Sequence, residues 1–226
     1  MMKKHPFIES LSKEFRLNSD PERAIPMKQY MRNQFEFYGI SAPQRRAISS
    51  EFIKTHPVKD IKEVHAIAEA LWKLPQREYQ YFAIEFLSKK KKLFTENDIA
   101  LIEKLIVEKS WWDTVDYLAG HVAGPWFSMY PDQIKSITGR WNRSDNIWLQ
   151  RMSLLFQQKY KKDTDTILLT NYIKHLSTSK EFFVQKAIGW ILREYSKTDP
   201  EWVKDFVNRN SLAPLSKREA LKRIGH

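Results

Sequence analysis

Segments of helical length recur along this chain at a near-constant spacing. Tyr79-Gln80-Tyr81-Phe82-Ala83-Ile84, Trp148-Leu149-Gln150-Arg151-Met152-Ser153 and Phe183-Val184-Gln185-Lys186-Ala187-Ile188 each set an aromatic residue ahead of a small or flexible apolar residue four positions on. The second segment begins 69 residues after the first, and the third 35 after the second. A spacing near 35, or twice that, is the mark of stacked helix pairs of the HEAT or TPR kind. It puts a further copy near residues 113–114, inside Ser110-Trp111-Trp112-Asp113-Thr114-Val115-Asp116. Any set of amphipathic helix pairs shares some similarity, so the register (35 or 36) stays open at this point.

Other signals agree with an all-α chain. Six glycines in 226 residues, and no long apolar/polar alternation, weigh against a sheet. Ser41-Ala42-Pro43-Gln44, Thr178-Ser179-Lys180-Glu181 and Ser216-Lys217-Arg218-Glu219 have the form of capping boxes. Asp20-Pro21 and Asp199-Pro200 set an N-cap residue before a proline at the first helical position. With Leu74-Pro75, Thr95-Glu96 and Tyr130-Pro131 these marks cut the chain into about a dozen helices. The expected fold is HEAT-like helical repeats stacked into a curved solenoid with a basic concave face, one domain over residues 1–226.

The charge balance narrows the partner. Thirty-eight Lys and Arg against 27 Asp and Glu leave a net charge of +11, an excess suited to nucleic acid or a membrane surface. No apolar run is long enough to span a membrane, and charge recurs too soon after Met1-Met2-Lys3-Lys4 for a signal peptide, so a soluble cytoplasmic protein is expected. Lys89-Lys90-Lys91-Lys92 and Lys159-Tyr160-Lys161-Lys162 form basic clusters at helix ends. Such lysines also complement the helix dipole.

Much chemistry is excluded. Without cysteine there is no disulfide, thiolate metal site or cysteine nucleophile. No Gly-rich phosphate loop occurs. The histidines (His5, His56, His65, His121, His175 and His226) show neither a His-Glu-x-x-His nor a His-x-Asp pattern, which disfavours zinc hydrolases and 2-His-1-carboxylate iron oxygenases. No metal and no organic cofactor is expected. Carboxylate, aromatic and basic side chains remain for catalysis.

Three constellations stand out. Adjacent Trp111 and Trp112 cannot share one helical face; Trp111 pairs with Val115 toward a core, and Trp112 with Asp116 on another face. A plain packing role for Trp112, with Asp116 paired to a lysine, is the bland alternative. Asp113 is offset from both and is the fallback carboxylate. In Asp145-Asn146-Ile147-Trp148-Leu149-Gln150-Arg151, Asp145 or Asn146 caps a helix, and Arg151 is embedded among Leu149, Met152, Leu154 and Leu155. It needs an acidic residue or a phosphate as partner. In Phe182–Trp190 a mid-helix Gly189 costs about 1 kcal/mol against alanine, which close helix approach or ligand clearance would justify.

Ser110–Asp116, Asp145–Arg151 and Ser179–Glu194, together with Met27-Lys28-Gln29-Tyr30-Met31-Arg32-Asn33, Phe35, Phe37, Gly39-Ile40 and Leu212–Ala220, resemble the DNA alkylation-repair glycosylases of the AlkD type. The resemblance spans nearly the whole chain. It implies HEAT-like repeats, duplex DNA in a concave groove, and base-excision release of N3- and N7-alkylated purines. By motif position it implies Asp116 as catalytic carboxylate, Trp112 and Trp190 as aromatics against the lesion's sugar, Arg151 near the DNA backbone, and Tyr30 in the region that closes over the site. Lys159 and Lys186 are further expected DNA contacts. A monomer without an obligate protein partner is expected. A non-catalytic repeat protein binding branched or bent DNA, and a protein-interaction scaffold, are the rival readings.

The chemistry suits those residue types. A cationic alkylpurine leaves as a neutral base, so no general acid is needed, unlike ordinary glycoside hydrolysis. One ionised carboxylate can face the oxocarbenium-like sugar and orient water, and indole faces can attract the same developing cation.

Overall fold

The computed structural model describes residues 5–224, and its elements are helical, α-helices with short 3-10 turns and one π turn; among the described residues there is no strand beyond one isolated bridge, Glu36 to Gln76. The chain falls into two compact units, Met1–Thr95 and Glu96–His226. The first unit holds α1 (Pro6–Leu17), α2 (Pro21–Tyr30), α3 (Ala42–Thr55), α4 (Ile61–Lys73) and α5 (Arg77–Lys90). The second holds α6 (Ile99–Val107), α7 (Trp112–Leu118), α8 (Gly124–Met129), α9 (Ile134–Asn142), α10 (Ile147–Leu155), α11 (Thr166–Leu176), α12 (Phe182–Tyr195), α13 (Pro200–Arg209) and α14 (Pro214–Leu221).

The register left open by the sequence is 35. Helices α3, α5, α7, α10 and α12 begin at residues 42, 77, 112, 147 and 182, each 35 residues after the last. The copy expected near 113–114 is α7. Helices thus recur in pairs, and in the second unit α9 packs on α10, α10 on α12, and α12 on α14. Helix α12 buries one stripe, Val184, Ala187, Ile188, Ile191 and Leu192, whereas α10, central in the unit, is buried on nearly every side, with Leu149, Met152, Leu154 and Leu155 among its buried residues. Burying a side chain of this size is worth roughly 1.5–3 kcal/mol, so this interleaving carries the unit.

The caps are partly as expected. Asp20, Ser41 and Asp199 accept N–H groups of the first turn of α2, α3 and α13. Asn146, rather than Asp145, caps α10, accepting from the N–H groups of Trp148 and Leu149. Two expected capping boxes are not formed. The helix after Thr178-Ser179 begins only at Phe182, and Ser179 accepts instead from the Glu181 N–H at 3.3 Å. Ser216 lies inside α14, because Pro214 starts that helix earlier, and its hydroxyl donates to the Gln185 carbonyl at 2.8 Å. At Ser216 a tertiary contact claims the hydroxyl that a local cap would have used, whereas Ser179 makes a local turn ahead of the helix.

In the first unit, the segment after α2 is held by the start of α5. The buried Glu78 carboxylate accepts the N–H groups of Tyr38, Gly39 and Ile40 at 3.1, 3.0 and 3.3 Å. Gly39 has a φ of +84°, and a Cβ there would lie 1.9 Å from the Asp20 carbonyl, so glycine is required. The Arg77 guanidinium lies 3.7 Å from the centroid of the Phe35 ring.

Gly189 serves close helix approach. A Cβ on it would lie 2.5 Å from Glu219 Cβ and 2.7 Å from the Ser216 carbonyl of α14. Gly189→Ala therefore reverses the usual gain of alanine in a helix. The expected outcome is a loss of about 1–3 kcal/mol, read as a lower urea midpoint at unchanged slope; a stabilised variant refutes the tight α12–α14 contact.

Candidate functional site

Asp116 and Arg151 occupy the same place in consecutive 35-residue repeats, the fifth residue of α7 and of α10. That register brings them together. Arg151 donates from Nε to Asp116 Oδ1 at 2.6 Å and from Nη2 to Asp116 Oδ2 at 2.7 Å. Two parallel charge-assisted bonds fix both the plane and the distance of the carboxylate. Nη1 of the same guanidinium donates to the Phe183 carbonyl at 2.6 Å, anchoring it to the first turn of α12. The Trp190 ring centroid lies 5.8 Å from Arg151 Cζ, within cation–π range. Three successive helices of the repeat thus meet at one guanidinium.

Burial sets the electrostatics. Arg151 is 2% exposed and Asp116 9%. Burial pushes the Asp116 carboxyl above the ordinary aspartate value. The Arg151 charge and its hydrogen bonds pull it back, and the neighbouring Asp113 charge adds to the rise. A carboxylate has about four lone-pair sites, and Arg151 uses one on each oxygen. Asp116 can therefore present negative charge to a third group while still held.

The aromatic residues divide as the pairing of faces required. Trp111 is buried with Val115, though it sits in extended backbone as the N-cap of α7. Trp112, the first residue of α7, is half-buried four residues before Asp116. Trp111 also packs with Trp148 and Phe183, at ring separations of 5.7 and 4.9 Å. Asp113 lies near enough to Asp116 to raise its carboxyl, and it is Asp116 that takes the bidentate pair with Arg151.

The expected DNA contacts are dispersed. Of the two partners that an embedded Arg151 required, the acidic one is found, and its described contacts are internal ones to Asp116, Phe183 and Trp190. Lys159 donates to His121 Nε2 at 2.8 Å. Lys186, on the fifth residue of α12, pairs with Glu219 at 3.0 Å. Glu219 also receives Arg193 at 2.8 Å and Lys222 at 3.4 Å. Burial alone would raise the Glu219 carboxyl, but Lys186 and Lys222 bring it below the usual glutamate value. Tyr30, 70% exposed at the end of α2, belongs to the first unit.

Two contacts were beyond motif reading. One is the main-chain oxygen of Phe183. The other is Gln158, whose amide donates to the Asp116 carbonyl at 2.8 Å. The Asp116–Arg151 pair itself had a signal in the sequence, since the two lie one repeat apart. Among the described residues no three His, Asp or Glu side chains gather as a metal site, and no helix is long and apolar enough to cross a membrane.

Comparison with known proteins places the chain in a family. Residues 11–224 match the model of the DNA alkylation repair enzyme family. A solved structure described as a predicted DNA alkylation repair enzyme from Enterococcus faecalis is similar at 35% identity and a TM-score of 0.84, over 91% of this chain and 96% of that one. No curated protein matches. The chain belongs to the DNA alkylation repair enzyme family, and its role lies in the repair of alkylated DNA.

Proposed function

We propose that the protein is a monofunctional DNA glycosylase that hydrolyses the N-glycosidic bond of N3- and N7-alkylated purines in duplex DNA. The observation that carries this reading is the buried, bidentately held Asp116 carboxylate, with Trp112 four residues before it on α7 and Trp190 against the guanidinium that holds it. An alkylated purine of this kind is already cationic. As the C1′–N bond breaks, its electron pair moves to the purine nitrogen and the base departs neutral. The sugar becomes oxocarbenium-like, a water oxygen bonds to C1′, and the water proton passes to solvent through Asp116.

Each residue has a part in that step. Asp116 supplies negative charge where positive charge develops, in a site where water is scarce and the interaction is strong. Indole faces of Trp112 and Trp190 steady the same cation. Arg151 is the holder of Asp116, and any flanking phosphate meets it only through its remaining N–H groups. Tyr30, Lys159 and Lys186 are proposed duplex contacts, with Lys186 shared between Glu219 and the DNA. The product is an abasic site and a free base. No cofactor enters the scheme.

Asp116→Asn keeps the size and removes the charge. With duplex DNA carrying 7-methylguanine, release of free base should fall on the order of a hundredfold or more, while binding to undamaged duplex stays near that of the wild type. Equal release by both proteins sinks the assignment of Asp116. Salt-sensitive binding by the wild type with no release at all favours the non-catalytic DNA-binding reading instead.

The pH dependence has a definite sign. Catalysis needs ionised Asp116, so kcat/KM rises with pH through its pKa. Because burial raises that pKa, the acid limb should lie above that of an ordinary aspartate. Arg151→Gln removes the downward pull and should move the limb to still higher pH; a limb that stays in place or moves down refutes the role given to Arg151. The same raised pKa means that this carboxyl favours folding most below its unfolded value, and that the contribution is lost as pH rises through the folded one.

A further inference from the structure

The backbone of α7 does not run on as a regular helix. Over Ala119–Ala123 it widens into a π-helical turn, closed by the Gly124 N–H donating to the Ala119 carbonyl five residues back. Turns of this kind are rare and interrupt the regular ladder of hydrogen bonds. The Asp116 carbonyl lies at this junction. The Ala119 N–H reaches it from three residues on, and the Gln158 side-chain amide donates to it at 2.8 Å.

Gln158 follows α10, seven residues after Arg151. One stretch of chain therefore grips Asp116 twice, by its carboxylate and by its main-chain oxygen. Gly120 makes room for the second grip: a Cβ there would lie 2.9 Å from Gln158 Nε2 and 3.0 Å from Lys159 Cε. A second rung lies beside it. The Lys159 ammonium donates to His121 Nε2 at 2.8 Å, and His121 Nδ1 faces the Tyr117 carbonyl at 3.1 Å. An ammonium can only donate, so in this contact Nε2 is the accepting nitrogen of the ring and Nδ1 is the one turned to the Tyr117 carbonyl.

We propose that Gln158 is a positioning residue for Asp116, its amide fixing the height of the α7 backbone against α10 so that carboxylate and guanidinium meet in line. The catalytic part of this proposal rests on the glycosylase reading; the alignment part rests on geometry alone. The two bonds to Arg151, at 2.6 and 2.7 Å, tolerate little sliding of one helix along the other. A bidentate pair displaced along its plane becomes a single-bonded one. The charged groups that act on Asp116 are Arg151 and Asp113; His121, five residues on, and the Lys159 ammonium that meets it lie beyond them. Sliding α7 weakens the favourable one and leaves the unfavourable one in place.

The test uses the full chain with Gln158→Met, which keeps the length but donates nothing, with Gly120→Ala, which pushes the amide away, and with the double variant. Two quantities are read: the titration of the Asp116 carboxyl by carbon NMR of aspartate-labelled protein, assigned with Asp116→Asn, and the release of 7-methylguanine from duplex DNA. Each single variant should raise the Asp116 midpoint by about half a unit or more. Each should also lower kcat roughly five- to tenfold, with KM changed less than about twofold. The double variant should be no worse than either single one, because both break the same bond. Effects that add in full overturn the proposal, as does a lowered melting temperature with titration and kcat unmoved. If the wild type itself releases no base, the glycosylase reading falls, and the titration still decides the role of Gln158.

Discussion

The candidate site depends on one ion pair, Asp116 with Arg151, closed by two short hydrogen bonds inside the second unit. Burying a charge is costly unless it is both paired and hydrogen-bonded. Here each charge is the other's compensation, and the remaining donor of the guanidinium has the Phe183 carbonyl. Removing one partner strands the other, which for buried pairs costs about 3–5 kcal/mol. The pair contributes geometry more than stability, because it holds a carboxylate in a fixed plane in a place that excludes bulk water. A site that has to stabilise transient positive charge needs that arrangement in place before the substrate arrives.

The repeat is what makes such a pair possible. Residues one period apart occupy matching places on neighbouring helices, so an acid in one repeat and a base in the next meet without any long-range coincidence. Asp116 and Arg151 are one rung of this kind. On the next helix the equivalent residue is Lys186, which turns the other way to Glu219 of α14. The close seat of α14 on Gly189 brings Glu219 within reach. The same backbone position thus carries an acid, an arginine and a lysine in turn, each with its own partner.

Much of the helical plan was legible in the sequence, since it rests on local signals. Aspartate before proline and serine before a helical run are read within a few residues, and Asp20, Asp199 and Ser41 act as those patterns indicate. The period near 35 was visible, but its exact value needed helix boundaries, which blur in sequence by a residue or two. Ser216 misled because its hydroxyl goes to Gln185, a partner that no local window contains, and Ser179 because its turn to Glu181 ends just before the helix starts at Phe182. At the site, spacing put Trp112 and Asp116 on one helical face, but a plain packing role fitted that spacing equally, and only the family resemblance singled the two out. The embedding of Arg151 showed that it needed a partner but left open which one. Gln158 gave no signal, because an amide that binds a main-chain oxygen leaves no pattern of residue types.

Arg151's third anchor has a consequence of its own. Phe183 holds the guanidinium with its backbone oxygen, so the ring at that position can be exchanged without deleting the anchor. An alanine scan would pass over this support and credit position 183 with ring packing alone. Only a replacement of the peptide link itself, such as an ester in place of the amide that follows Phe183, weakens that oxygen as an acceptor and reveals what it does.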